Sequence, residues 1–216
     1  MVIWPNKNEI NSEVINQIAK LNSKKLGYRY DNLKELLKAW ELSIILRQIQ
    51  RHFEERKDIS ILDFGAGVSP FGAYLNHLGY YLVTCLDIKN GWHPEINQKI
   101  YNKEYNACVE YIKMDITLGY ARKHDVIFSA SVLEHIKDKG AKALHSLSKS
   151  LKPNGLFIHI ADYDKGINFK SLIDNCGIPI SYIPEETPGC KEFKNPPEYT
   201  WWNKRGLTRV AFFNER

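Results

Sequence analysis

Two carboxylates and a pair of glycines stand at spacings suited to gripping a charged nucleoside. Residues Ile61 to Gly72 read ILDFGAGVSPFG: an apolar run ends in Asp63, and Gly65 and Gly67 follow with one residue between them. Glycine takes positive φ at little steric cost and lets a ligand approach the backbone closely. Asp87 ends the next apolar run, twenty positions after Gly67. A carboxylate at that distance can accept ribose hydroxyls, two O–H bonds at once. Asp115 ends a third run, in IKMDI, and Glu134 and His135 follow a fourth, in HDVIFSASVLEHI. Histidine titrates near working pH and is the usual general base, so these two are the candidate catalytic residues. Leu133 to Ile136 also fits the first turn of a helix, where Glu134 suits the helix dipole.

The glycine loop fits neither common phosphate binder. A dinucleotide fingerprint requires a third small residue for close helix packing, and Pro70 occupies that place. A P-loop requires Gly-Lys-Ser/Thr, which is absent here. Asp63, two residues before Gly65, repels a pyrophosphate and favours a cation. The pattern therefore selects a positively charged nucleoside over a dinucleotide.

The elements that must position these residues follow from periodicity. Strands are expected at 58–64, 80–87, 108–115, 124–130 and 156–162. Helical stretches are expected between them near 71–78, 95–105 and 137–151, with another at 167–175 and a shorter one within 116–123. Pro153-Asn154-Gly155 reads as the turn that stops one helix and starts the next strand. Strands alternating with helices give βαβ units and a mostly parallel sheet. Two further strands are expected at 178–183 and 207–213, and the Pro- and aromatic-rich segment 184–206 between them reads as a surface insertion near the ligand mouth. Ahead of the first strand, 12–23 and 31–53 read as amphipathic helices packed on the sheet. In the second of these, Leu33, Leu37, Trp40 and Ile44 fall on one stripe and Asp31 can cap the start.

Bulk properties agree with one α/β domain. The chain has 216 residues, 44% hydrophobic and 25% charged, with a net charge of +5. That length supports a full core, and that mild charge does not call for nucleic acid. None of the four cysteines, Cys85, Cys108, Cys176 and Cys190, is spaced as C-x-x-C. Buried free thiols in a reducing compartment are expected, rather than disulfides or zinc. No run reaches the ~18 apolar residues of a membrane span, and the start lacks a signal-type apolar segment. The expectation is a cytoplasmic protein.

LDFGAGVSPFG resembles the first motif of the class I S-adenosylmethionine-dependent methyltransferases, hydrophobic-Asp-x-Gly-x-Gly, with Ser69 in place of that family's usual third glycine. HDVIFSASVLEHI resembles the family's fourth-strand motif, and LKPNGLFIHIAD (151–162) its fifth-strand turn. The resemblance spans about residues 58–165. It implies a Rossmann-like, doubly wound, mostly parallel seven-stranded sheet with helices on both faces and an N-terminal helical extension. It implies one domain over 1–216, with helices at 1–57, a cofactor core at 58–165 and a substrate-side region at 166–216. The implied cofactor is S-adenosyl-L-methionine, a cationic sulfonium without phosphate. The implied cofactor residues are Asp63, Phe64, Gly65, Ala66, Gly67, Asp87 at the ribose, Ile88, Asp115 at the adenine amino group, Ile116 and Ser129.

Some relatives carry Glu-x-x-Glu-His after the fourth strand and bind a divalent metal with it. Here Ser131 replaces the first acid, which removes a hard oxygen ligand, so no metal is expected. NPPEY (195–199) resembles the Asn-Pro-Pro-Tyr motif of DNA adenine methyltransferases. It lies far from the fourth strand with Glu198 inserted, and reads as a loop. The implied acceptor is a small molecule, such as a sugar or another biosynthetic intermediate, with no membrane and no nucleic-acid partner. The competing readings are an RNA or protein methyltransferase using Tyr199, Trp201, Trp202, Lys204 and Arg205, a cofactor-binding scaffold, and a nicotinamide dehydrogenase. Asp63 and Pro70 speak against the last of these.

Overall fold

The strand runs are apolar almost throughout because their strands are covered on both faces, the signature of a parallel sheet. In β1 (Ser60–Phe64) every residue after the first is buried, and in β2 (Leu82–Asp87) the same holds. The computed structural model describes residues 32–54, 56–88, 94–136, 139–163 and 208–213. Helix α1 (Asn32–Phe53) precedes β1; α2 (Phe71–His77), β2, α3 (Pro94–Tyr105) and β3 (Glu110–Lys113) follow. A single 3₁₀ turn spans Ile116–Leu118. Then come β4 (His124–Ala130), α4 (Leu133–Ile136), α5 (Gly140–Lys149), β5 (Leu151–Tyr163) and β6 (Thr208–Phe213).

The sheet order is β3-β2-β1-β4-β5-β6. All pairs are parallel except β5 with β6, where Ile158 stands opposite Phe213. The chain starts centrally at β1, runs outward to β3, and returns to the other side of β1 as β4. That reversal opens a crevice at the carboxyl ends of β1 and β4, where open α/β sheets bind ligands. The doubly wound, mostly parallel sheet expected from the sequence is present. Six strands are seen among the described residues. The expected strand 178–183, the helices 12–23 and 167–175, and the segment 184–206 lie outside the described residues.

Two apolar layers hold the sheet. Ile45, Ile49, Phe71, Phe128 and Ile158 pack on one face, and Leu62, Ile127, Leu144 and Phe157 on the other. Ile61 and Leu62 fall in opposite layers, as strand alternation requires. Near the start of β1, the Asp125 carboxylate accepts from Ser60 N, Ser60 Oγ and Lys152 Nζ, each at 2.8 Å or less. This ties β1, β4 and β5 together at the edge opposite the crevice.

Three local expectations are corrected. Pro153-Asn154-Gly155 lies inside β5, where the register against β4 shifts between His124 and Val126. Asn154 takes φ 60° there, so the segment is an irregularity within a longer strand rather than the turn that begins it. Helix α1 is more than an amphipathic stripe, since Glu41 through Leu46 are all buried. Its middle is enclosed on every side, so the apolar residues are not confined to the face toward the sheet. Cys85 is buried as expected, but Cys108 is exposed because it stands before the start of β3. Cys176 and Cys190 lie outside the described residues.

Candidate functional site

Beyond β1 the chain turns through Gly65 at φ 73° and Gly67 at φ 54°. The turn is bonded onto the end of β2, with Gly65 N and Ala66 N donating to Leu86 O at 2.7 and 3.3 Å. The two glycines are required for different reasons. A Cβ on Gly65 would lie 2.3 Å from Val132 Cγ2, so the side chain of Val132 occupies that space. A Cβ on Gly67 would meet nothing nearer than Asp87 Oδ2 at 3.8 Å and Gly65 O at 3.9 Å. Gly67 thus lines a cradle bounded by a carboxylate, which a ligand can enter against bare backbone.

Asp87 closes that cradle. Its Oδ2 accepts from Gly67 N at 2.8 Å, and the residue is buried. A carboxylate has about four acceptor sites, so a bond to the loop is compatible with accepting hydroxyl donors as well. Asp63 is also buried, at the end of β1 beside Cys85 in the register. Burial pushes the Cys85 thiol well up, and the Asp63 carboxylate pushes it further. Asp87 borders the cradle and Asp63 lies buried in the strand that leads into it, and negative charge there suits a cation and opposes pyrophosphate.

The loop continues under restraint. Tyr101, from α3, donates its hydroxyl to Val68 O at 2.9 Å. Ser69 Oγ accepts from Phe71 N at 3.2 Å, so the residue in place of a third glycine covers an orphan donor at the start of α2. Asp63, Phe64, Gly65, Ala66, Gly67 and Asp87 all gather at this turn. Ile88, 52% exposed, follows Asp87 as an apolar side chain at the rim.

Asp115 and Ile116 stand one strand further out, joined to β2 by the Met114 N to Asp87 O bond of 3.0 Å. Asp115 caps the 3₁₀ turn, its Oδ1 accepting from Thr117 N at 2.9 Å and Thr117 Oγ1 at 2.7 Å. These bonds hold its carboxyl below the usual range, assisted by Lys139 Nζ at 3.7 Å from Oδ2. Ile116 is buried in the second apolar layer. Ser129 lies within the sheet rather than at the crevice rim: it is fully buried, its Oγ 2.6 Å from His159 Nδ1 on β5. Burial lowers His159 to about 3, so this imidazole is neutral.

Glu134 and His135 share the single turn of α4, just beyond β4. His135 is exposed, with its N–H donating to Val132 O at 2.9 Å, and Glu134 is half-buried. Before them, Ser131 takes φ 56° and its N–H donates to Ile160 O at 2.7 Å. Its Oγ lies 3.1 Å from both carboxylate oxygens of Glu41 on α1. Among the described residues no three His, Cys, Asp or Glu side chains converge as metal ligands, and no helix is long and apolar enough to cross a membrane.

Sequence reasoning missed Glu41, Tyr101, Ser131 as a hydrogen-bond partner, Val132 and His159. The one available signal was Glu41 itself, an acid followed by the run LSIIL. Tyr101 and Val68 lie 33 residues apart and give no local pattern.

Comparison with known proteins finds similar sequences and folds. The family model described as a methyltransferase domain matches residues 62–159. A ubiquinone biosynthesis O-methyltransferase of Rickettsia bellii (strain OSU 85-389) is 28% identical over 160 residues, covering 73% of this chain. The matched stretch spans 64% of the length of that relative. Among solved structures, Haemonchus contortus phosphoethanolamine N-methyltransferase 2 in complex with S-adenosyl-L-methionine superposes with a TM-score of 0.57 at 16% identity, over 79% of this chain and 51% of that one. The [4+2]-cyclase SpnF superposes with a TM-score of 0.58 at 11% identity, over 81% of this chain and 80% of its own. Likeness at these identities establishes a shared fold.

Proposed function

We propose that the chain is a class I S-adenosylmethionine-dependent methyltransferase, a reading supported by the matched methyltransferase domain and by the similarity to an O-methyltransferase, and that it transfers the cofactor's methyl group to a small-molecule hydroxyl by in-line displacement. The observation that carries this reading is the Gly67 cradle with Asp87 bonded across it. When bound, the cofactor supplies an electrophilic methyl on a sulfonium. Asp87 accepts the ribose hydroxyls, Gly65 and Gly67 let the nucleoside lie against the backbone, and Asp115 meets the adenine amino group. Asp63 contributes negative charge that favours a cationic guest.

Transfer of this kind asks the protein mainly to align the nucleophile behind the methyl and keep water out. His135, exposed on α4, takes the acceptor's proton as the new bond forms, with Glu134 beside it. The oxygen acceptor is favoured by the similarity to an O-methyltransferase. A sugar or another biosynthetic intermediate fits the mild charge of the chain.

Calorimetric titration with S-adenosylhomocysteine and with NAD in parallel tests the cofactor. Binding of the first alone supports the reading, and binding of NAD alone overturns it. Incubating methyl-labelled cofactor with fractionated cell extract then tests the acceptor. Label in small molecules is expected, and label in RNA or protein refutes the substrate class. A second reading, a cofactor-binding protein that transfers no methyl group, is favoured by the likeness to a [4+2]-cyclase, which leaves the fold open to other chemistry. It predicts S-adenosylhomocysteine binding with no label transferred anywhere.

A further inference from the structure

Ser131 holds a backbone conformation that serine rarely adopts. Its φ of 56° lies in the left-handed region, which costs a non-glycine residue about 1–2 kcal/mol. Such strain persists only where the surroundings enforce it. Here the N–H of Ser131 bonds Ile160 O on β5, and its Oγ reaches the fully buried carboxylate of Glu41, 90 residues earlier on α1. The next residue is Val132, whose methyl groups occupy the space beside Gly65 where a side chain would otherwise stand. A continuous chain of contact therefore runs from the N-terminal helix to the glycine turn: Glu41, Ser131, Val132, Gly65.

We propose that Glu41 is a positioning residue, which holds Ser131 in its left-handed conformation and so seats Val132 against the glycine turn in the shape that accepts the cofactor. This rests on the cofactor reading above. Helix α1 then does more than cover the sheet, because its docking sets cofactor affinity. Valine is β-branched and stiff at χ1, so a rotation of the Ser131 backbone is passed to Gly65 rather than absorbed by the side chain.

The hypothesis makes a non-additive prediction. Glycine adopts φ near 56° without penalty, so Ser131→Gly removes the need for the tether. Ser131→Ala loses the hydroxyl and keeps the penalty. The measurement is calorimetric titration with S-adenosylhomocysteine, alongside thermal unfolding of each variant. Ser131→Ala is expected to weaken binding on the order of tenfold, the scale of a left-handed backbone penalty made visible. Ser131→Gly is expected to bind within about twofold of the unaltered protein, with that penalty absent. Glu41→Gln, which keeps an acceptor oxygen, stays near the unaltered value. Glu41→Leu loses affinity in the Ser131 background and regains it when combined with Ser131→Gly. Should Glu41→Leu not fold, the Ser131→Ala and Ser131→Gly pair decides the matter alone. Equal affinities for that pair, whatever their melting temperatures, overturn the inference and leave Glu41 a purely structural residue. Absence of S-adenosylhomocysteine binding by the unaltered protein instead overturns the cofactor reading.

Discussion

Replacing each of the two loop glycines by alanine separates packing from ligand binding, because the structure gives them opposite surroundings. At Gly65 the new Cβ would lie 2.3 and 2.7 Å from the two Val132 methyl groups. Real Cβ contacts are not that short, and β-branched Val132 has little freedom to turn away. Overpacking costs about 1–3 kcal/mol, and the positive φ adds about 1–2 kcal/mol. Gly65→Ala should therefore destabilise by about 2–5 kcal/mol. At Gly67 only the backbone cost applies, since the nearest atom is at 3.8 Å. For a chain of this size, 1 kcal/mol moves Tm by about 2–4 °C. Thermal unfolding should show Gly65→Ala melting about 4–20 °C below the parent and Gly67→Ala about 2–8 °C below it. Titration with S-adenosylhomocysteine should show the reverse emphasis. Folded Gly67→Ala should lose at least tenfold in affinity, or about 1.4 kcal/mol, because its methyl group stands where the nucleoside rests. Parent-like binding by Gly67→Ala would refute the cradle. Equal melting of the two variants would refute the Val132 contact.

Asp87→Ala should weaken S-adenosylhomocysteine binding by about 1.5–3 kcal/mol, the scale of charge-assisted hydrogen bonds; unchanged affinity in the titration removes the ribose assignment. His135→Ala should lower kcat while leaving cofactor affinity within about twofold, since the residue is exposed on α4 and supports no core packing; a collapse in affinity would mark it as structural. Acid should destabilise the fold in a defined window. Burial lowers His124 to about 4 and His159 to about 3, from 6.5 in both cases. The unfolded chain therefore takes up protons that the folded chain refuses. Stability is whole above pH 6.5 and falls as pH drops toward 4 and 3, by on the order of 1 kcal/mol per pH unit for each histidine. Denaturant unfolding from pH 7 to 4 checks this, and a slope that His159→Gln leaves untouched would contradict it.

The strand and loop pattern was legible because its signals are local. Apolar runs ending in Asp63, Asp87 and Asp115 place each acid at a strand's carboxyl end whatever the remote packing. The interval of twenty from Gly67 to Asp87 is the length of one helix and one strand, so the βαβ unit itself delivers that carboxylate to the loop. The sequence alone thus settled the doubly wound sheet and the acidic glycine turn.

What the sequence left undecided depends on strand order. The resemblance implies Ser129 as a cofactor residue, and only the pairing of β4 with β5 shows its hydroxyl set against His159 inside the sheet. Pro153-Asn154-Gly155 reads as a turn, yet the register with β4 draws it into the strand. Cys108 reads as buried from its neighbours, and the late start of β3 leaves it exposed. Glu41 and Ser131 are 90 residues apart, and only the docking of α1 over the carboxyl end of β4 brings a buried carboxylate to the Ser131 hydroxyl. Periodicity specifies which side of an element is apolar; which partner that side meets is fixed by the closing of the sheet, and the site's supporting contacts come from that closure.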